Sequence, residues 1–269
     1  MCRLYGFHSS APRKVECELI DSQNSLIAQS ERDEFGHSNP DGWGLVTFYN
    51  GEPHADRQVE PAYQSERFRW AAARAYSKTV LAHVRKATVG TVGPENTHPF
   101  VGGKYALVHN GTIGAFSSIK ERFLAEIPEE EAARIRGTTD SEHFFHLLVA
   151  RHKTNGASMA DTLRECCEMV SGWVRSAHPT AEFSLNVVWT DGKTMVGSRL
   201  GRSLWFTRRD EAHVCEICGT NHTRVGADQP YHAVVLASER ITHGEKWEGI
   251  EEGSIFEVQE DCDMRVVKV

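Results

Sequence analysis

The chain has 269 residues, of which 40% are hydrophobic and 25% charged, and its formal net charge is −7. That length can bury a substantial core, while the acidic balance lacks the basic excess that a phosphate backbone attracts, so nucleic acid is not an expected partner. No apolar run is long enough to span a membrane, and the opening "MCRLYGFHSS" lacks the apolar stretch of a signal peptide, so the expected location is the cytosol with no membrane partner.

In chain order, "CRLYGF" reads as a strand, "CELIDSQNSLIAQS" as a helix, "GWGLVTFY" as a strand, "SERFRWAAARAYS" as a helix and "TVLAHV" as a buried strand. "KYALVHNG" follows as a strand, and then helices at "SSIKERFLAEI", "SEHFFHLLVARH" and "SMADTLRECCEMVSGWV". Strands resume at "FSLNVVWTDGKTMVGSR", whose Asp191-Gly192 signals a hairpin, and at "SLWFT", "YHAVVLAS" and "SIFEVQ". Strands, a helical block and more strands predict an α+β fold of two mainly antiparallel sheets with helices outside. Repeats, low-complexity tracts and linkers are lacking, so residues 1–269 read as a single domain.

Seven cysteines, an odd number scattered through helical and strand contexts, argue for reduced thiols rather than a disulfide framework. Cys17, Cys166 and Cys167 read as small core hydrophobes, the latter two sharing a helical stripe with Met159, Leu163, Val170 and Trp173.

Four places carry chemistry. Cys2 would, on removal of Met1, combine a nucleophilic thiol with an α-amine base of pKa near ~7.7–8.0, against ~8.5 for the thiol, and would need no histidine partner. A buried structural cysteine would look the same from this position alone. "LAHVRKATVG" delivers His83 and Arg85 to a strand end and Thr88 to the following turn, where a guanidinium can hold a carboxylate bidentately or form a surface salt bridge. Asn110-Gly111 reads either as a hairpin turn or as a pair of donors, amide and backbone N–H, for an oxyanion. In "GTTDSEHFF", Thr139 and Glu142 make a capping-box pattern that puts Asp140 in the first helical turn, where it suits the dipole or a substrate ammonium. Together they describe a site for a zwitterionic amino acid whose side chain is attacked, a glutaminase-like arrangement.

These residues resemble the class II glutamine amidotransferases. "MCRLYGF", "NPDGWGL", "LAHVRKATVG", "ENTHPF", "ALVHNGTI" and "GTTDSE" occur in the family's order, with a looser match at "VVLASERITHGEKWEGI". The tail and "DGWG" are similar to the compact stand-alone branch, which includes the γ-glutamyl hydrolases of ergothioneine biosynthesis and of glutathione breakdown. The resemblance implies the four-layer αββα sandwich of the N-terminal-nucleophile hydrolases. It also implies Cys2 as nucleophile, Asn110 and Gly111 as oxyanion hole, Arg85 on the substrate α-carboxylate and Asp140 on its α-amine. Thr88, His98 and the "DGWG" stretch with Trp43 are implied to line or support the pocket, and neither metal nor organic cofactor is required. The implied reaction is hydrolysis of a γ-glutamyl amide through a thioester. Alternatives are a glutaminase subunit feeding ammonia to a separate synthase partner, and a catalytically silent binding module. Lys86 stands where sugar-synthesising members carry Trp, which weakens the case for a sugar-isomerase partner.

"HVCEICGTNH" stands apart from that pattern. His213, Cys215, Cys218 and His222 lie close enough in sequence for a zinc or redox element, and a reduced surface loop is the other reading.

Overall fold

The computed structural model describes residues 2–212, 214–226 and 229–268; Met1 and His213, which enter the sequence reading, lie outside them. β1 (Arg3–Lys14) is followed by a π-helical turn (Cys17–Asp21), α1 (Leu26–Glu31), β2 (Trp43–Tyr49), β3 (Glu52–Gln58), α2 (Glu66–Arg74) and β4 (Tyr76–Val84). β5 (Phe100–Gly102) and β6 (Tyr105–Ile113) lead into α3 (Phe116–Glu126), α4 (Glu129–Ala132), α5 (Asp140–Asn155) and α6 (Met159–Ala177). Then come β7 (Phe183–Thr190), β8 (Met195–Arg199), β9 (Trp205–Arg209), β10 (Ala233–Ala237), β11 (Glu248–Gly249), β12 (Ser254–Val258) and β13 (Met264–Lys268).

Seven strands pair in the order β11-β9-β10-β1-β4-β2-β3 and six in the order β13-β12-β8-β7-β6-β5, all antiparallel. Alternation along each strand then sorts side chains into layers. Leu4 of β1, Val46 of β2 and Leu81 of β4 meet Ala106 and Val108 of β6 between the sheets. Their neighbours Tyr5, Phe7, Trp43, Leu45 and Ala82 point outward onto Leu26 and Ile27 of α1 and Phe68 and Ala72 of α2. On the far face, Leu107, Leu185 and Val187 pack on Phe144 and Leu148 of α5 and on Leu163, Cys166 and Cys167 of α6. Helices, sheet, sheet and helices make the expected four-layer αββα sandwich. No helix among the described residues is long and apolar enough to cross a membrane.

Three expectations change in detail. "CELIDSQNSLIAQS" is two short helical pieces, because the Ser25 hydroxyl donates to the Ile20 carbonyl and breaks the run. β3 went unread because it is a polar edge strand containing Pro53. Cys17 is buried, yet it is not simply a core hydrophobe: its sulfur lies 3.6 Å from His222 Nε2.

Burial holds several imidazoles neutral. It draws His83 down to about 3 and, with the nearby Lys78 charge, His8 down to about 4. His98 is pulled well below its ordinary value, first by burial and then by neighbouring positive charge. The unfolded chain takes up these protons below about 6.5 while the folded chain refuses them. Their contribution is therefore complete above about pH 6.5 and is lost as pH falls toward the folded values, at roughly 1.4 kcal/mol per pH unit for each imidazole. Thermal melts between pH 7 and 5 should show a steadily falling midpoint. An unchanged midpoint over that range would contradict the assignment of neutral buried imidazoles.

Candidate active site

The parity that sorts the core also gathers the polar residues. Continuing β1 backwards puts Cys2 on the inner face with Leu4; β4 puts His83 and Arg85 with Leu81; β6 puts Asn110 with Val108. The half-buried Cys2 sulfur accepts from the Lys86 N–H at 3.3 Å and lies 3.4 Å from the Lys86 carbonyl. Burial pushes the thiol pKa up, and the Lys86 N–H together with the Arg85 and Arg3 guanidinium groups pulls the other way.

The "DGWG" stretch fixes the segment that meets this thiol. Arg85 N–H donates to the Gly42 carbonyl at 2.8 Å, Asp41 N–H to the Arg85 carbonyl at 3.0 Å, and Asp41 Oδ2 accepts from Ala87 N–H at 2.8 Å. Gly44 must be glycine, since a Cβ there would lie 2.0 Å from the His98 carbonyl oxygen. Trp43 falls on the outer face and is wholly buried edge-on to Phe68, so it supports this strand and does not line the pocket.

The Arg85 side chain is buried, donating through Nη1 to the Thr91 carbonyl and through Nη2 to the Val89 carbonyl, each at 3.2 Å. A guanidinium has five N–H donors, so this anchoring leaves capacity for a carboxylate. Burial lowers its pKa, and Cys2, Asp41, Asp140 and Glu95 oppose that loss of charge. Asp140 opens α5, where the Thr139 hydroxyl accepts from Glu142 N–H at 3.2 Å. The capping box is only half formed, because Glu142 accepts from the backbone of Arg136 and Gly137 instead. Asp140 Oδ2 accepts from Ile113 N–H and Oδ1 from Ser141 N–H, both at 2.8 Å, which docks the helix against the end of β6. Oδ1 also accepts from the Ser141 hydroxyl at 3.2 Å, so it is Oδ2 that retains a lone pair for an ammonium.

Asn110-Gly111 lies within β6, paired with Asn186 and Leu185, so the hairpin-turn reading falls. A Cβ on Gly111 would meet the Ser184 carbonyl at 2.1 Å. Asn110 Nδ2 donates to Ser238 Oγ at 3.1 Å, while its Oδ1 is buried without a hydrogen-bond partner among the described residues. Turning the amide by 180° resolves this: Ser238, already accepting from Leu4 N–H at 3.0 Å, then donates to Oδ1 and leaves Nδ2 free as a donor.

Sequence reasoning missed the groups that clamp the chain start. Arg3 Nη1 donates to the Cys2 carbonyl at 2.9 Å, and the same guanidinium pairs with Asp33 at 2.9 Å and Glu239 at 2.5 Å, all buried. The available signal was Arg3 itself, a charge sharing the outward parity of Tyr5 and Phe7 in a central strand, which demands buried carboxylate partners. Thr88 is exposed. His98 is buried, its ring 4.2 Å from that of His83 and 4.5 Å from Phe100, with neither ring nitrogen hydrogen-bonded among the described residues. Beyond Asn110 lies a cavity of about 460 Å³ bordered by Arg3, Glu34, Phe35, Arg199 and Ser203.

The family model described as "Glutamine amidotransferases class-II" matches residues 1–268. A probable glutamine amidotransferase of Saccharomyces cerevisiae is 26% identical, over 96% of this chain and 82% of its own. The γ-glutamyl-hercynylcysteine sulfoxide hydrolase of Mycobacterium tuberculosis is 29% identical, over 80% of this chain and 83% of its own. Among solved structures, a glutamine aminotransferase class-II domain protein from Silicibacter pomeroyi superposes with a TM-score of 0.66 at 19% identity, covering 99% of both chains. The glutamine phosphoribosylpyrophosphate amidotransferase of B. subtilis gives a TM-score of 0.63 at 17% identity, covering 99% of this chain and 49% of its own. With the family model matching over residues 1–268, on a fold that these solved neighbours share, the chain belongs to the class II glutamine amidotransferases.

Proposed function

We propose that the protein hydrolyses a γ-glutamyl amide, either glutamine or a γ-glutamyl conjugate, through a thioester on Cys2, acting in the cytosol as one domain. The observation that carries this reading is that Cys2 and Arg85, on the inner face of one sheet, and Asn110, on the inner face of the other, turn toward the same space between the sheets. Seven free cysteines favour a reducing compartment.

In this mechanism Arg85 takes the α-carboxylate of the substrate and Asp140 its α-ammonium, so the glutamyl side chain runs toward Cys2. The α-amine of residue 2, freed by removal of Met1, accepts the thiol proton, and the thiolate attacks the γ-carbon. Charge then gathers on the γ-oxygen, where Asn110 Nδ2 and the Gly111 N–H stabilise it; one such donor is worth about 3–4 kcal/mol. The protonated amine of residue 2 returns its proton to the departing amine, leaving a γ-glutamyl thioester. Water, deprotonated by the same amine, then releases glutamate and restores the thiol. The hydrolase relative supports direct hydrolysis, and the cavity beyond Asn110 offers room for a leaving group larger than ammonia.

Glutamate release should be measured with glutamine and a panel of γ-glutamyl amides. Wild-type protein should turn over at least one of them without a partner, and Cys2→Ala should lose at least about 10³-fold in rate while melting as the wild type does. Wild-type rates in the folded variant would remove Cys2 from the chemistry. Activity only on addition of a separate synthase would favour the ammonia-supplying subunit instead.

Ser238 acts through Asn110 and is a positioning residue. Ser238→Ala should lower kcat by about 10-fold with little change in KM, because the amide loses its orientation while the glutamyl anchors remain. An altered KM with unchanged kcat would contradict that role.

A further inference from the structure

Between β9 and β10 the chain makes a long excursion, residues 210–232, whose described residues form no named strand or helix. Loops of this length without regular structure are uncommon in compact proteins and call for something that holds them. Two backbone bonds make a tight turn of "CEICGT": Gly219 N–H to the Cys215 carbonyl at 2.8 Å and Cys215 N–H to the Thr220 carbonyl at 2.9 Å. Gly219 has φ +71°, the left-handed conformation that closes such a turn at low cost. The turn sets Cys215 and Cys218 side by side. The chain then passes along the end of β1, where Lys14 N–H donates to the His222 carbonyl at 3.0 Å and Arg13 bridges Thr223, so His222 is fixed against the first strand. Directly after that strand, the π-helical turn supplies Cys17, held by Ser22 N–H donating to its carbonyl at 2.8 Å.

The result is a cluster from two separate parts of the chain. The Cys17, Cys215 and Cys218 sulfurs and an imidazole nitrogen of His222 all lie within 4.8 Å of one another. Nε2 is the ring atom turned inward, 2.9 Å from Cys218 Sγ and 3.6 Å from Cys17 Sγ. A tetrahedral zinc with Zn–S near 2.3 Å and Zn–N near 2.0–2.1 Å sets its ligand atoms roughly 3.5–3.8 Å apart, so this cluster needs only a small adjustment.

We propose that Cys17, Cys215, Cys218 and His222 form a structural zinc site that pins the 210–232 excursion to the end of β1. Three sulfurs and one imidazole are the donor set that zinc takes, and hard cations such as magnesium and calcium do not. Four protein ligands complete the tetrahedron, which leaves no open position for a catalytic water and makes the site structural. A disulfide would use two of the sulfurs and leave a third thiol and the imidazole without a purpose. On binding, each coordinating thiol yields its proton to solvent, so affinity weakens as pH falls; no electron is transferred. The sequence pair Cys215 and Cys218 is thus completed by a residue about two hundred positions earlier and by His222.

The test is metal analysis of full-length protein purified under reductant without chelator, then reconstituted with one equivalent of zinc and desalted. About one zinc per chain is expected, with cobalt substitution giving intense thiolate-to-cobalt charge-transfer absorption. Cys218→Ser, at the exposed ligand, and Cys17→Ser, at the remote one, should each lower zinc retention at least about 10-fold. A strong chelator should lower the melting midpoint of the wild type by about 5 °C or more, and of Cys218→Ser much less. Wild-type protein that retains no zinc after reconstitution overturns the proposal. So does full retention in both variants, or a Cys215–Cys218 disulfide in the reduced-purified protein. The wild-type metal and cobalt readings stand even where a variant fails to fold, and none depends on the activity proposed for Cys2.

Discussion

Everything at the site depends on holding the first few residues still. β1 lies inside a seven-stranded sheet, hydrogen-bonded to β10 on one edge and to β4 on the other, with Tyr5 opposite both Ala237 and Ala82. A chain terminus ordinarily frays, since nothing beyond it resists motion. Here Arg3 is locked between Asp33 and Glu239, and it holds the Cys2 carbonyl in turn. Burying one guanidinium with two carboxylates is costly unless every charge is paired, and removing any member would leave an uncompensated charge in the interior. The arrangement is therefore weak evidence for extra stability and strong evidence for a fixed position.

That constraint explains why residues far apart in the chain meet at the site. Ser238 and Glu239 follow β10, yet Ser238 bonds Leu4 through both backbone N–H and hydroxyl and also touches the amide of Asn110. The β1–β10 pairing thus links the strand that follows Cys2 to the amide that faces it across the interior. His83 adds a second tie between the sheets, its Nε2 donating to the His109 carbonyl at 3.0 Å. The excursion between β9 and β10 rests on the opposite end of β1, so the zinc site we infer would steady the same strand at its other terminus.

Most of the architecture was legible because strand alternation and helical stripes are strong where a layer is buried on a consistent face. "TVLAHV" and "KYALVHNG" are such runs. What the pattern could not carry was long-range pairing of charge and the meaning of a local signal. The chain has three Asn-Gly pairs: Asn50-Gly51 makes a turn with both residues at positive φ, Asn155-Gly156 ends α5 with Gly156 at positive φ, and Asn110-Gly111 continues a strand. Only tertiary packing, with the Ser184 carbonyl against Gly111, separates them. Trp43 next to two glycines was read with the pocket, but counting parity from Val46 puts it on the helix side. Cys17 looked like core because its partners lie about two hundred residues away, beyond the reach of any spacing rule.

The central claim is that the sulfur of residue 2 and the amine of the same residue do the chemistry. Intact-mass and peptide mapping of active protein, before and after treatment with an electrophilic glutamine analogue, tests it most directly. The account predicts that Met1 is absent from the active fraction and that one glutamyl-derived adduct sits on Cys2. Active protein that retains Met1 throughout, or an adduct carried by a different cysteine, would contradict it.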